Sequence, residues 1–152
     1  MVSTNNVQKK NIAILISPGF SENEVVYCLS QMRACGLPIR LVGVSNSLVH
    51  SQHGLSVKPD LALNDLTNMP PFKMVIIPGS YECVTNLLTS PDFHAQTEKS
   101  IAEGGRIAVF DSAKGALQQV PLFATHTEQI LYQQRQALKP FCQELIQIAT
   151  TL

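Results

Sequence analysis

The sequence lacks any excess of charge of one sign. Lysine plus arginine and aspartate plus glutamate each number 11 in 152 residues, so the formal net charge is zero at pH 7. Proteins that bind nucleic acid or a membrane surface through bulk electrostatics carry a clear positive excess. We therefore expect neither a nucleic acid nor a membrane as a partner.

The sequence also lacks long apolar runs. Residues 1–11 are polar and contain no apolar core of the kind that a secretory signal needs. No run elsewhere approaches the about 20 residues that cross a bilayer as a helix. We expect a polar leader at residues 1–10, followed by a single domain at residues 11–152, in a cytoplasmic protein.

Cysteine is scarce and scattered. Cys28, Cys35, Cys83 and Cys142 lie too far apart for a CxxC pair or a zinc-ligand spacing. Reduced thiols are the expectation for such cysteines in the cytoplasm. The sequence predicts no metal site and no cofactor.

What is present is an alternation of short apolar runs with helical patterns. The apolar runs are NIAILI at 11–16, PIRLVGV at 38–44, FKMVII at 72–77 and RIAVF at 106–110. Helical spacing covers about 22–35, 82–88, 91–103 and 138–150, and a further helix should begin at 112. A polar turn at 51–54 predicts a small hairpin. Continuous apolar runs are typical of strands buried in a parallel sheet. The order predicts an α/β domain with a mainly parallel sheet and helices on both faces.

Four segments of the chain resemble the ThiJ/PfpI superfamily. They are ILISPGFSENEVV at 14–26, HGLSVKPDLALNDL at 53–66, MVIIPGS at 74–80 and GGRIAVFDSAKGAL at 104–117. The resemblance implies a flavodoxin-like three-layer sandwich, related to class I glutamine amidotransferases, that assembles as a homodimer. It also implies thiol-dependent peptidase, deglycase or glyoxalase activity. The family's site glutamate corresponds to Glu24.

The chain departs from the family pattern at three places. Asp111 stands where the catalytic cysteine of the nucleophile elbow is expected, and Ser80 replaces the second glycine of a Pro-Gly-Gly turn. After Leu117 the chain is shorter than the resemblance leads us to expect, so the C-terminal part, with its last strands and site histidine, should be compressed or absent. His126, in the sequence ATHTE, is the candidate for that histidine.

Asp111 is predicted at the carboxyl end of the sheet, where open α/β folds bind ligands. Aspartate tolerates the positive φ of a strained elbow, although Asp111 could equally cap the helix that follows. A carboxylate is a far poorer nucleophile than a thiolate, so the family's thiol chemistry should be lost. If Asp111 and Glu24 approach within hydrogen-bonding distance, they should share one proton.

Other residues near the elbow are candidates for smaller roles. Gly79, Ser80 and Ser112 should supply backbone and hydroxyl groups around the site, as donors to an oxyanion. Ser112 with His126 also permits a serine-hydrolase hypothesis, although Gly-x-Ser-x-Gly is missing. Cys83, near a predicted helix start, could substitute as a thiol.

These observations favour a catalytically degenerate ThiJ/PfpI-like domain that binds a small ligand or a protein and forms a homodimer. One alternative is a hydrolase or lyase in which Asp111 and Glu24 form an acid/base pair. Another is the sensor domain of a transcription regulator. Whether the chain is an enzyme stays open, with the missing thiol arguing against it.

Overall fold

The computed structural model describes residues 11–152, so the predicted polar leader lies outside the described residues. The strands are β1 (Ile12–Ile16), β2 (Ile39–Gly43), β3 (Val49–His50), β4 (Ser56–Val57), β5 (Leu61–Ala62), β6 (Met74–Ile77), β7 (Arg106–Val109) and β8 (Ile130–Tyr132). The helices are α1 (Glu22–Ala34), α2 (Tyr81–Leu88), α3 (Pro91–Ala102), α4 (Asp111–Leu117), α5 (Pro121–Thr125) and α6 (Leu138–Thr151). Short 3-10 turns cover Leu63–Leu66 and Thr127–Gln129.

The main sheet has six strands in the order β5-β2-β1-β6-β7-β8, and neighbouring strands are parallel at every pairing. All residues of β1 and β6 are buried, as expected for central strands covered on both faces. The continuous apolar runs therefore correspond to the central strands, and the predicted flavodoxin-like α/β fold is confirmed. The predicted hairpin is also present, as the antiparallel pair β3 and β4.

Helices cover both faces of the sheet. From β1 the chain moves outward to β2 through α1, and from β6 it moves the opposite way to β7 through α2 and α3. Because both crossovers are right-handed in such sheets, the two sets of helices lie on opposite faces. In agreement, α1 packs against α6, whereas α2 packs against α3 and α4.

The site is positioned by the reversal of strand order at the centre of the sheet. β1 and β6 are neighbours, yet their chains leave in opposite directions, which opens a crevice beyond their carboxyl ends. Glu24 follows β1, Gly79 follows β6, and Asp111 follows β7. The topology brings all three residues to one edge of the sheet.

The C-terminal part contains a strand that the sequence pattern did not predict. β8 pairs in parallel with β7, with Ile130 opposite Ile107. It is only three residues long and follows a polar stretch, so its apolar pattern is too short to distinguish. The last strand is therefore compressed rather than absent. Both edge strands of the sheet, β5 and β8, are short, which limits pairing with other chains.

Candidate functional site

Glu24 lies in the first turn of α1, and the loop after β6 holds it in place. The Gly79 N–H donates to Glu24 Oε1 at 2.7 Å, and Ser112 Oγ donates to Oε2 at 3.4 Å. The Ser21 N–H, just before α1, donates to the Gly79 carbonyl at 2.8 Å. Hydrogen bonds therefore join the start of α1 to the loop after β6, and Glu24 accepts one of them.

Burial raises the pKa of Glu24, and the nearby negative charge of Asp111 raises it further. The hydrogen bonds from Gly79 and Ser112 favour the carboxylate and partly oppose this shift. The net direction is upward, because removing the half-buried carboxylate from water costs more than the two bonds return. Glu24 therefore holds a proton more readily than an exposed glutamate.

Gly79 is at a position where a side chain does not fit. It is buried, and a Cβ built there would overlap the Ser112 side chain and stand 3.3 Å from Glu24 Oε1. The absence of a side chain allows Ser112 and Glu24 to meet above the Gly79 backbone. Glycine at this position is therefore a packing requirement.

Ser80 has a structural part in the same turn. Its hydroxyl donates to the Gly19 carbonyl at 2.5 Å and accepts from the Cys83 N–H at 3.4 Å, which caps α2. The Gly79 N–H and the Ser80 hydroxyl both have partners within the protein. Neither is available as the oxyanion donor that the sequence suggested.

Asp111 faces a different part of the molecule. It is exposed, and its Oδ2 accepts from the Arg135 N–H at 2.9 Å, while its own N–H donates to Gln133 Oε1 at 2.9 Å. Phe110 occupies the cap position of α4, and no side chain bonds the first turn there. The carboxylate of Asp111 therefore secures the loop after β8 and does not cap α4.

The positive φ expected at Asp111 is found instead in the loop after β8, which contacts Asp111. Among residues 11–152, the non-glycine residues with positive φ are Gln134 at 55° and Arg135 at 66°. Both belong to the loop that Asp111 and Gln133 hold. The elbow itself is an ordinary helix start, since helix α4 already includes Asp111.

The expected contact between the two carboxyl groups is not formed. Within the described residues, no hydrogen bond joins Asp111 to Glu24, and the Ser112 hydroxyl is the elbow group that bonds Glu24. The prediction of a shared proton assumed that Asp111 points toward α1. It fails because the backbone after β8 offers Asp111 a nearer donor.

His126 lies away from this cluster. It is exposed and precedes β8, whose first residue Ile130 pairs with Ile107 near the start of β7. In a parallel sheet, the residues before β8 lie at the amino-terminal edge, whereas Asp111 lies beyond the carboxyl end of β7. The structure therefore brings Glu24, Gly79 and Ser112 together, with Asp111 beside them, and leaves His126 at the other edge.

Sequence reasoning missed the residues that complete the open side of the site. An open cleft of about 500 Å³ is lined by Asp111, Lys114, Gln134 and Arg135. The Lys114 ammonium lies 5.1 Å from the centre of the Tyr132 ring, within range of a cation–π contact. No motif marks the loop residues, because they reach the site only through β8.

The cysteines lie elsewhere. Cys28, Cys83 and Cys142 are buried, and the exposed Cys35 follows the end of α1 opposite to Glu24. Burial raises the pKa of Cys83, which is the reverse of what a reactive thiol requires. The hydrogen bond with Cys142, followed by burial, raises the pKa of Cys28. These shifts disfavour the thiolate at Cys28 and Cys83.

Residues 11–152 contain no cluster of three or more histidine, cysteine, aspartate or glutamate side chains arranged to hold a metal ion. Of the helices in the same range, none combines the length and apolar character needed to cross a membrane.

Comparison with known proteins agrees with the fold. The model of the DJ-1/PfpI family matches residues 10–123. A point mutant of a DJ-1 superfamily protein from Salmonella typhimurium superposes with a TM-score of 0.74 at 20% identity, covering 93% of this chain and 90% of that one. DJ-1beta from Drosophila melanogaster gives 0.76 at 15% identity with the same coverage. Oxidized DJ-1 from Toxoplasma gondii gives 0.72 at 18% identity, covering 91% of this chain and 89% of that one.

Proposed function

Because the chain belongs to the DJ-1/PfpI family, we propose that it is a catalytically degenerate member that binds a small ligand at the elbow and forms a homodimer. The observation that carries this proposal is the chemistry of the elbow. Asp111 stands at the turn after β7, and its carboxylate accepts a hydrogen bond from the backbone of the facing loop. A carboxylate that accepts such a hydrogen bond stabilises the loop and is a poor nucleophile.

The distribution of thiols supports the loss of cysteine chemistry. Cys83 is the cysteine nearest in sequence to the Gly79 turn, yet it is fully buried and burial raises its pKa. Cys35 is exposed but follows the far end of α1. All four cysteines are free, which also supports the proposed cytoplasmic location.

Ligand binding is supported by the shape and charge of the open side. The cleft beside Asp111 presents polar and charged groups at the carboxyl edge of the sheet, where this class of fold binds ligands. Glu24 and Ser112 close the adjacent side through their mutual hydrogen bond. The arrangement suits recognition of a ligand by charge.

The homodimer is supported by apolar surface on the other side of α1. A second cleft, of about 580 Å³, lies between α1, the hairpin and α6, and contains Val26 and Leu55. These side chains are 47% and 43% exposed, and Leu48 on the hairpin is 59% exposed. Exposed apolar side chains on adjacent elements are typical of an interface. The short edge strands make sheet extension a weaker route to a dimer.

An acid/base enzyme is the second candidate. One observation favours it, namely that burial raises the pKa of Glu24 toward the range in which a carboxyl group transfers protons near neutral pH. The partner of Glu24 is then Ser112 rather than Asp111, since the Ser112 hydroxyl makes the contact. The regulator hypothesis stays a prediction from the sequence.

The proposal is tested by measuring turnover of methylglyoxal and of a chromogenic peptide by the purified protein. We expect none above background, and Asp111→Cys serves as the matched variant that restores a thiol at the elbow. If the wild-type protein turned over either substrate and Cys83→Ser abolished that turnover, Cys83 would be the catalytic thiol in place of a cysteine at the elbow. Turnover that Glu24→Gln abolishes, with Cys83→Ser active, would instead establish the acid/base enzyme.

The dimer is tested separately by sedimentation velocity at micromolar concentration. We expect a dimer that Val26→Glu dissociates, because the substitution places a charge in the apolar cleft. A wild-type protein that sediments as a compact monomer at every concentration contradicts this part of the proposal.

A further inference from the structure

We infer that the cleft between α4 and the loop at residues 133–136 binds the carboxylate group of a small monoanionic molecule, held by Lys114 and Arg135. The inference rests on the proposed function and names the ligand class for the same site. It depends on three features of the cleft, which are its unpaired cations, its braced loop and its net charge.

The two cations are free to hold a ligand. In the described part of the chain, an ion pair joins Arg33 to Asp60, Glu22 contacts the His53 ring, and neither contact involves the cleft. Lys114 and Arg135 are exposed and line the same concave surface. Side chains that carry a guanidinium and an ammonium, line one cleft and make no ion pair provide donors suited to an oxyanion.

Hydrogen bonds brace the loop that carries Arg135. Gln134 and Arg135 both have positive φ, which costs energy for residues other than glycine. The conformation is secured by the bond from the Arg135 N–H to Asp111 and by the bond from Asp111 to Gln133. Gln133 Nε2 also donates to the Gln136 carbonyl at 2.8 Å. A braced loop loses little entropy when a ligand binds.

The ammonium of Lys114 is also held on the cleft side. It lies 5.1 Å from the centre of the Tyr132 ring, at the end of β8. The contact restricts a side chain that otherwise samples many rotamers. The Lys114 ammonium and the backbone of Arg135 are therefore positioned before a ligand arrives.

The charge of the lining selects a monoanion. Lys114 and Arg135 contribute two positive charges, and Asp111 contributes one negative charge, so the cleft carries a net charge of one. The net attraction of the cleft doubles from a monoanion to a dianion at the same distance, whereas the cost of removing the ligand from water rises with the square of its charge. A carboxylate is therefore favoured over a phosphate dianion.

The test is a titration of ¹⁵N-labelled protein followed by amide chemical shifts, with propionate and inorganic phosphate at pH 8 as the probes. With propionate we expect saturable shifts at residues 133–136 and at Lys114. Lys114→Gln and Arg135→Gln should each weaken propionate binding by about two- to fivefold, as expected for an exposed charge contact. Unperturbed amides in the central strands establish that each variant is folded.

Lys58→Gln is the matched control, because Lys58 is exposed and lies next to β5 at the opposite edge of the sheet. It should leave the propionate affinity unchanged. An equal loss in all three variants, or no saturable shift at residues 133–136, overturns the inference. Neither result depends on the turnover assays, so the proposed function can survive the loss of this inference.

Asp111→Asn provides a second, independent readout. The amide keeps an oxygen acceptor for the Arg135 N–H but removes the negative charge. The affinity for phosphate should rise by about the square of the fold-change seen with propionate, because the removed repulsion doubles for the dianion. Equal fold-changes for the two anions would show that charge does not select the ligand.

Discussion

The two carboxyl groups of the site lie on neighbouring elements but have opposite surroundings. Glu24 is half-buried, and its two oxygens accept hydrogen bonds from Gly79 and Ser112. Asp111 is exposed, and it bonds the backbone of a loop 24 residues further along the chain. The site therefore has a closed half, formed by Glu24, Gly79 and Ser112, and an open half, formed by Asp111, Lys114, Gln134 and Arg135.

The comparison teaches that position in the fold does not fix a side chain's role. Both carboxyl groups stand at the carboxyl edge of the sheet, where the topology predicts a site. Burial raises the pKa of Glu24, whereas Asp111 is exposed to solvent. The closed half is part of the packing between α1 and β6, and the open half is left to interact with solvent or a ligand.

Breaking the closed half should have the largest effect. In Gly79→Ala, the new Cβ would overlap Ser112 Oγ and stand 2.8 Å from Ser112 Cβ, so Ser112 must move away from Glu24. We expect the free energy of unfolding to fall by about 1–3 kcal/mol, as for other overpacked sites. Urea unfolding measures the loss.

Gly115→Ala is the control for that substitution. Gly115 lies within α4, and no atom lies within 4 Å of the Cβ that alanine would add. The free energy of unfolding should increase by up to about 1 kcal/mol, because alanine favours the helix. If both alanine variants changed stability by the same amount and sign, close packing at Gly79 would not be the cause.

The pH dependence of stability should be a smaller effect, and it should come mainly from the closed half. The pKa of Glu24 is raised in the folded protein, so its contribution to stability is fully present below the unfolded pKa, near 4.5, and is lost as pH rises through the folded value. Glu24→Gln cannot ionise and keeps an oxygen acceptor for the Gly79 N–H. Its stability relative to wild type should therefore increase as pH rises through this range.

Thermal unfolding of both proteins from pH 4 to pH 8 measures this difference. Asp111→Asn is the comparison variant, since the charge of Asp111 is a lesser cause of the Glu24 shift than burial is. The stability of Asp111→Asn relative to wild type should also increase with pH, but with a smaller slope than for Glu24→Gln. A larger slope for Asp111→Asn than for Glu24→Gln would mean that the pH dependence of stability comes mainly from Asp111, in the open half. That result would contradict the prediction.

The smallest effect should come from removing the acceptor in the open half. Asp111→Ala loses the bond from the Arg135 N–H, and because this bond is exposed the cost should be about 0.5 kcal/mol. Asp111→Asn should recover most of that loss at pH 7. The two variants are compared by urea unfolding at constant ionic strength, and equal stabilities would show that the bond is replaced by water without cost.

The sequence was sufficient for the fold and for placing the candidate residues along the sheet. Four apolar runs identify β1, β2, β6 and β7, since strands covered on both faces are apolar at most positions. The same reasoning places Glu24, Gly79 and Asp111 at one edge, because parallel strands end together. These are consequences of local pattern and topology.

The direction in which Asp111 points could not be predicted in this way. It depends on donors at residues 133–135, which approach only because the three-residue β8 pairs with β7. Three apolar residues beside polar ones give no distinct periodicity. The same omission made His126 look like a site residue, since without β8 nothing showed that the chain before it lies at the other edge.

The short edge strand has a consequence for how the molecule fluctuates. β8 pairs on one side only, so it can detach while the central strands remain folded, and residues 133–136 detach with it. In that partly open state Asp111 loses both loop partners and the cleft ceases to exist, whereas Glu24 keeps its bond to Gly79. Amide hydrogens of residues 131–135 should then exchange with solvent by local opening, and those of β1 and β6 by global unfolding. The population of the detached state lowers the apparent affinity of the open half for any ligand, because only the form in which β8 is paired offers both cations.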